Sequence, residues 1–126
     1  MTLKIDIPEI VVEVTRAFME YEQALSSNDL DTIDSLFWNS PLTLRYGSNG
    51  TLVGHQAISA FRRGRDIKGA TRIRRNTVIT TFGRDFAVTN TESDNAGITT
   101  RQSQTWVRMT DGWRIVSAHV SDKPPT

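Results

Sequence analysis

Hydrophobic residues in the first half of the chain recur mostly at helical spacing. From Pro8 to about Ser26 the apolar side chains lie three and four residues apart, which predicts an amphipathic helix. Asn28 is the predicted N-cap of a second helix that closes at Trp38. A third predicted helix begins at about His55 and again has one apolar side.

Extended patterns dominate the rest of the chain. Helices first and a run of strands last predict an α+β fold in one domain, residues 1–126, with residues 122–126 as a disordered tail. A twisted antiparallel meander with helices on one face must curl around them, so we expect a cone whose open end is a pocket. The predicted strands are a short pair at 42–46 and 51–53, followed by a meander at 72–82, 86–93, 99–109 and 113–121.

Composition removes several classes of protein. The 126 residues fit one domain, and no segment approaches the ~20 apolar residues that span a bilayer. The N-terminus lacks the apolar core of a secretory signal, so we expect a cytoplasmic protein that does not bind membranes. There are no cysteines and only two histidines, so we expect no metal site, and no cofactor motif is present.

Charge is unevenly distributed along the chain. Residues 1–34 carry eight acidic and two basic side chains, whereas residues 62–75 carry seven basic side chains and one acidic one, Asp66. The basic segment is interpreted as a solvated face or a subunit interface, or else as an attraction for a small anion. We do not expect nucleic acid binding, because the net charge is only +1 and aromatic residues do not alternate with the basic ones.

Two polar residues on predicted elements are the main candidates for chemistry. Tyr21 lies on the buried side of the first helix, as a core tyrosine or as a hydroxyl that points into the cone and exchanges a proton. Arg45 shares its strand face with Thr43, opposite Leu42 and Leu44. It faces either solvent or the pocket, where a guanidinium would bind a carboxylate.

Five further residues are candidates for binding a ligand. Arg62 and Arg65 follow Ile58 and Phe61 at four-residue spacing, near the buried side of the third helix, so one of them is a candidate for the pocket rim and each is otherwise an exposed arginine. Gln102 and Gln104 share one strand face, which either lines the pocket or lies at a dimer interface. His119 has the strand parity of Trp113 and is a pocket donor, a general base or a core histidine.

Several motifs together resemble the AtzH/HpxZ family, which belongs to the SnoaL-like, nuclear-transport-factor-2-like (NTF2-like) superfamily of cystatin-like folds. The resemblance extends over nearly the whole chain, and the order of three motifs makes it specific. These are Leu36-Phe37-Trp38, Arg45-Tyr46-Gly47 and Phe61-Arg62-Arg63-Gly64-Arg65, supported by residues 21–25, 104–107 and 113–121. The superfamily implies helices packed on a curved, mainly antiparallel sheet, and often a homodimer formed through the outer sheet face, for which Trp106 or Trp113 is a candidate.

The resemblance also implies a function. The AtzH branch is a cofactor-free decarboxylating amidohydrolase of 1,3-dicarboxyurea, giving allophanate in cyanuric acid breakdown, with a helix tyrosine and a strand arginine as its catalytic pair. By matching motif these are Tyr21 and Arg45. The HpxZ branch implies an alternative, a small-acid-binding accessory protein of an amidase in oxalurate catabolism. Either way the expected ligand is a small anionic amide or urea carboxylate, with Arg65, Gln102, Gln104 and His119 as binding candidates.

Overall fold

The computed structural model describes residues 2–48, 50–64, 72–95 and 97–123. Within these residues the chain forms three helices and six strands, in the order helix, helix, hairpin, helix and meander. The helices are α1 (Pro8–Ser27), α2 (Leu30–Leu36) and α3 (His55–Arg63). The strands are β1 (Leu44–Gly47), β2 (Gly50–Val53), β3 (Ile73–Phe82), β4 (Phe86–Asn95), β5 (Ile98–Met109) and β6 (Gly112–Lys123).

All six strands belong to one sheet in the order β2-β1-β6-β5-β4-β3. The four-strand meander is antiparallel throughout, as predicted. The pairing of β1 with β6 is parallel, with Arg45 opposite Ala118. This pairing, which the sequence did not predict, joins the short hairpin to the meander and brings Arg45 onto the inner face of the sheet. The predicted α+β fold, helices on a mainly antiparallel sheet, is confirmed.

The boundary between α1 and α2 differs from the prediction by one residue. Asn28 adopts the left-handed conformation (φ 55°) and ends α1, while Asp29 is the N-cap of α2. The Asp29 carboxylate accepts hydrogen bonds from the Thr32 backbone amide at 3.2 Å and the Thr32 hydroxyl at 2.7 Å. Asparagine tolerates the left-handed region, and aspartate satisfies the free amides of a helix start, so each residue suits its position.

The core lies between α1 and the inner face of the meander. Ile10, Val14 and Phe18 are buried along one side of α1, as the helical spacing predicts. Trp106 and Trp113 are also buried in this core. Both side chains therefore point away from the outer sheet face, which corrects the suggestion that either one contributes to a dimer interface there.

Strand β6 extends further than predicted and contains an irregularity. Thr105 pairs with Ser117 but Trp106 pairs with Ile115, so Val116 is an extra residue on β6. Such a β-bulge reverses which residues of the strand face inward. The strand continues to Lys123, so Asp122 is paired with Thr100 rather than part of a disordered tail; residues 124–126 lie outside the described residues.

Candidate active site

A cavity of about 330 Å³ lies between the helices and the inner face of the sheet. It is bounded by α1 and α2 on one side, by the end of α3, and by the inner faces of β1, β5 and β6. Tyr21 and Arg45 both line it, although they come from separate elements. The lining also includes apolar, polar and charged side chains. The apolar ones include Leu25, Ile33, Phe61 and Val120, the polar ones Ser48, Thr100 and Gln102, and the charged ones Arg62, Arg72 and Asp122.

Arg45 is held on the cavity wall by its neighbours. Only 8% of the Arg45 surface is exposed, so its side chain faces the cavity and not bulk solvent. The guanidinium carbon lies 5.4 Å from the centre of the Phe61 ring, a cation–π contact. The guanidinium also passes so close to Gly47 that a Cβ atom added there would lie 2.7 Å from Nη1 of Arg45. Gly47 thus leaves the space that the arginine occupies.

Tyr21 is buried and hydrogen-bonded to an arginine. Nη2 of Arg62 donates a hydrogen bond to the Tyr21 hydroxyl at 2.7 Å. The Arg62 guanidinium carbon lies 5.9 Å from the Tyr21 ring centre and 5.7 Å from that of Phe37. Phe37 meets Tyr21 edge to face at 6.0 Å. The phenol and the guanidinium are therefore fixed relative to each other at the cavity wall.

A third arginine reaches the cavity through a buried ion pair. Glu22 is completely buried, and Arg72 donates two hydrogen bonds from Nη2 to its carboxylate oxygens, at 2.7 and 2.9 Å. Arg74 approaches the same carboxylate at 3.7 Å. A buried carboxylate is tolerated only when it is paired, so these arginines account for Glu22. Neither Glu22 nor Arg72 was predicted from the sequence as a site residue.

The cavity lining carries a surplus of positive charge among the described residues. Arg45, Arg62 and Arg72 contribute three positive charges and Asp122 contributes one negative charge. Glu22, which is paired with Arg72 but does not line the cavity, adds a second negative charge nearby. Asp122 is exposed at the mouth, where its carboxylate accepts hydrogen bonds from Thr100 at 2.9 Å and Ser48 at 3.2 Å. The deeper part of the cavity is thus the more positive part, which favours a small anion.

The two predicted glutamines both face inward, but only one lines the cavity. Gln102 is 6% exposed and lines it, and its Nε2 has no hydrogen-bond partner among the described residues. Gln104 lies two residues further along β5, and its Oε1 accepts a hydrogen bond from the Thr89 hydroxyl at 2.9 Å. Thr89 in turn accepts one from Trp106 at 3.0 Å. Gln104 therefore belongs to a buried network, while Gln102 can offer its amide to a ligand.

His119 and Arg65 do not join this site. His119 is exposed on the outer face of the sheet, where its ring meets Tyr46 edge to face at 5.7 Å. The expectation of a pocket histidine is corrected, and the bulge at Val116 is the physical reason, because it reverses the inward parity after Ile115. Arg65 lies outside the described residues. The arginine of α3 that lines the cavity is Arg62, which has the same helical spacing from Ile58 that drew attention to Arg65.

Most of the basic residues of segment 62–75 that the structure describes form ion pairs within the chain. Arg63 bonds to Asp31 and Asp34 at 2.8 and 2.7 Å, and Arg75 bonds to Asp94 at 2.9 Å. Hydrogen bonds from Arg75 lower the pKa of Asp94 from its ordinary value. These pairs balance the acidic helices and β4, and only Arg62 and Arg72 of this segment line the cavity among the described residues.

The described ranges contain neither a metal-binding cluster nor a membrane-spanning helix. No group of three or more histidine, aspartate or glutamate side chains is placed to hold a metal ion there. None of the helices in that part of the chain has the length and apolar character needed to cross a bilayer.

Comparison with known proteins agrees with this architecture. A family model for AtzH-like proteins matches residues 3–124. No curated protein is similar enough to match the chain.

Solved structures extend the comparison. A cystatin-like fold protein from Burkholderia xenovorans has 41% sequence identity and a TM-score of 0.92, over 98% of this chain and 99% of that one. A DUF3225-family protein of unknown function from Pectobacterium atrosepticum has 47% identity and a TM-score of 0.91, over 94% of each chain. An NTF2-like protein of unknown function from Pseudomonas putida has 14% identity and a TM-score of 0.76, over 90% of this chain and 86% of that one, so it shares the fold alone.

Proposed function

Because the chain belongs to the AtzH-like family, we propose that it is a cofactor-free decarboxylating amidohydrolase of a small carboxylated urea, such as 1,3-dicarboxyurea, in nitrogen catabolism. The supporting observation is that Tyr21 and Arg45, which come from distant parts of the sequence, line one small cavity with a surplus of positive charge. The cavity's size of about 330 Å³ suits a small acid and leaves little room for a large cofactor.

The reaction needs binding, charge stabilisation and one proton. In the proposed mechanism Arg45 binds a carboxylate of the substrate and stabilises the charge that develops as the bond to nitrogen breaks. The electron pair of that C–N bond goes to nitrogen, which takes a proton from the Tyr21 hydroxyl, and CO₂ leaves. Solvent then returns a proton to Tyr21. One dianion and one proton thus give the monoanion allophanate and CO₂.

The remaining lining residues suit the rest of such a substrate. Gln102 is the candidate partner for the urea, because its amide borders the cavity with Nε2 still without an acceptor among the described residues. Arg72, fixed by Glu22, is a candidate for the second carboxylate. Arg65 stays a prediction as a binding residue.

Turnover by the pure protein tests the proposal. Wild-type protein is incubated separately with 1,3-dicarboxyurea, oxalurate and allophanate, and each acid is followed by mass spectrometry. We expect loss of 1,3-dicarboxyurea with formation of allophanate, and no turnover by Arg45→Ala or Tyr21→Phe. Arg101→Ala and Tyr46→Phe are matched controls, because both side chains are exposed away from the cavity lining, and both should stay active. Normal turnover in Arg45→Ala and Tyr21→Phe would reject the mechanism.

Absence of turnover in this assay, together with two further measurements, would support the alternative function. An accessory protein of an amidase would bind one of these acids, detected by calorimetry, without converting it, and would co-purify with the amidase. The predicted homodimer also stays a prediction, which sedimentation velocity of the pure protein tests directly.

A further inference from the structure

The hydrogen bond between Arg62 and Tyr21 has a direction that matters for proton transfer. Arginine carries only donors, so Arg62 donates and the Tyr21 oxygen accepts, at 2.7 Å. A phenol oxygen that already accepts a hydrogen bond still has its own proton to donate. Among the described residues, the Tyr21 oxygen forms no hydrogen bond other than the one from Arg62. Its proton is therefore left for a ligand in the cavity that Tyr21 lines.

The position of Arg62 is itself fixed by packing. Its guanidinium lies over both Tyr21 and Phe37, and these two rings contact each other edge to face. It is also on the last turn of α3, the helix that supplies Phe61 beneath Arg45. One helix end thus supports both the guanidinium of Arg45 and the phenol of Tyr21.

We propose that Arg62 is a positioning residue that directs the Tyr21 proton into the cavity and stabilises the oxygen while the proton is on the substrate. A charge-assisted hydrogen bond becomes stronger as its acceptor gains negative charge. Arg62 therefore contributes most when the proton has been transferred, so it should affect kcat more than KM. This inference rests on the proposed function for its catalytic part, but not for the contact itself.

The contact is tested without any substrate. The chain has only two tyrosines, so protein labelled with ¹³C at Cζ of tyrosine gives two signals, and Tyr46→Phe assigns them. We expect Arg62→Met to shift the Tyr21 signal. Arg63→Met, an equal loss of charge at the next residue, should leave it in place, because Arg63 is exposed and pairs with Asp31 and Asp34. An unmoved Tyr21 signal in folded Arg62→Met would overturn the inference.

Kinetics test the catalytic part. With 1,3-dicarboxyurea we expect Arg62→Met to lower kcat on the order of 10- to 100-fold, by more than it raises KM. Arg62→Lys, which keeps a donor, should recover part of that loss and guards against a folding defect in the methionine variant. An unchanged kcat alongside a shifted signal would overturn the catalytic role. Inactive wild-type protein would reject the proposed function instead, while the labelled tyrosine still decides the contact.

Discussion

Replacing Gly47 with alanine should separate activity from stability. The added Cβ would lie 2.7 Å from Nη1, 3.4 Å from Cζ and 3.5 Å from Nη2 of Arg45. An ordinary contact begins near 3.4 Å, so Nη1 has to retreat by about 0.7 Å. The arginine is the flexible partner, so the guanidinium moves and the strand stays. The charge of the cavity is unchanged, and only its placement differs.

The two expected effects of Gly47→Ala have opposite signs. A displacement approaching 1 Å in a positioning group can cost up to about 100-fold in rate, so we expect kcat/KM for 1,3-dicarboxyurea to fall by roughly 10- to 100-fold. Gly47 is not among the glycines with positive φ, so alanine suits its strand backbone. Stability should be unchanged or higher by up to about 1 kcal/mol, because glycine weakens a strand interior.

Gly112→Ala is the matched control. Gly112 lies in the β5–β6 hairpin and is not part of the cavity lining, with φ of 125°, where a Cβ is strained. That variant should unfold at lower temperature and keep the wild-type kcat/KM. Steady-state kinetics and thermal unfolding of both variants give the comparison. Wild-type kcat/KM in Gly47→Ala would refute the idea that activity depends on where the Arg45 guanidinium lies.

Three further changes have expected outcomes. Glu22→Gln leaves Arg72 beside a neutral buried group and should lower the free energy of unfolding by about 3 kcal/mol in urea titrations, whereas equal stability would contradict the buried ion pair. Thr32 lowers the pKa of the Asp29 carboxyl through hydrogen bonds, so Asp29 stabilises the fold above its ordinary pKa, and this contribution is lost as pH falls through the lowered value. Asp29→Ala should therefore unfold at a lower temperature than wild type at pH 7, with the difference shrinking in acid; a constant difference would argue against the cap. His119→Ala should keep full turnover, since the ring is exposed on the outer face, and a large loss would restore His119 as a site residue.

The sequence predicts the elements of this fold better than the faces of its strands. The helical spacing of α1 identifies its buried side correctly, including Tyr21. The alternation over residues 42–46 separates Arg45 from Leu42 but does not say which side is inner, and apolar Leu42 is in fact 74% exposed. The parallel pairing with β6 decides it, and that contact joins residues far apart in the chain.

There are physical reasons why the sequence did not predict some features of the site. The bulge that turns His119 outward depends on the register between β5 and β6, and a valine at position 116 is not a residue type that marks a bulge. Burial of Glu22 depends on Arg72, which is distant in sequence and close only after the helix packs on the sheet. The spacing of α3 predicts that Arg62 or Arg65 lies at the cavity rim, and spacing alone does not decide between them; Arg62 lines the cavity.

The parallel pairing of β1 with β6 also sets when the site can first exist. β6 is synthesised after every other strand, yet it lies at the centre of the sheet, between β1 and β5. Before it emerges from the ribosome, the β1–β2 hairpin has no strand to join it to the meander, and Arg45 has no fixed place opposite Ala118. A nascent chain that stops short of β6 should therefore lack the assembled cavity, so binding of a small anion would report that β6 has been synthesised.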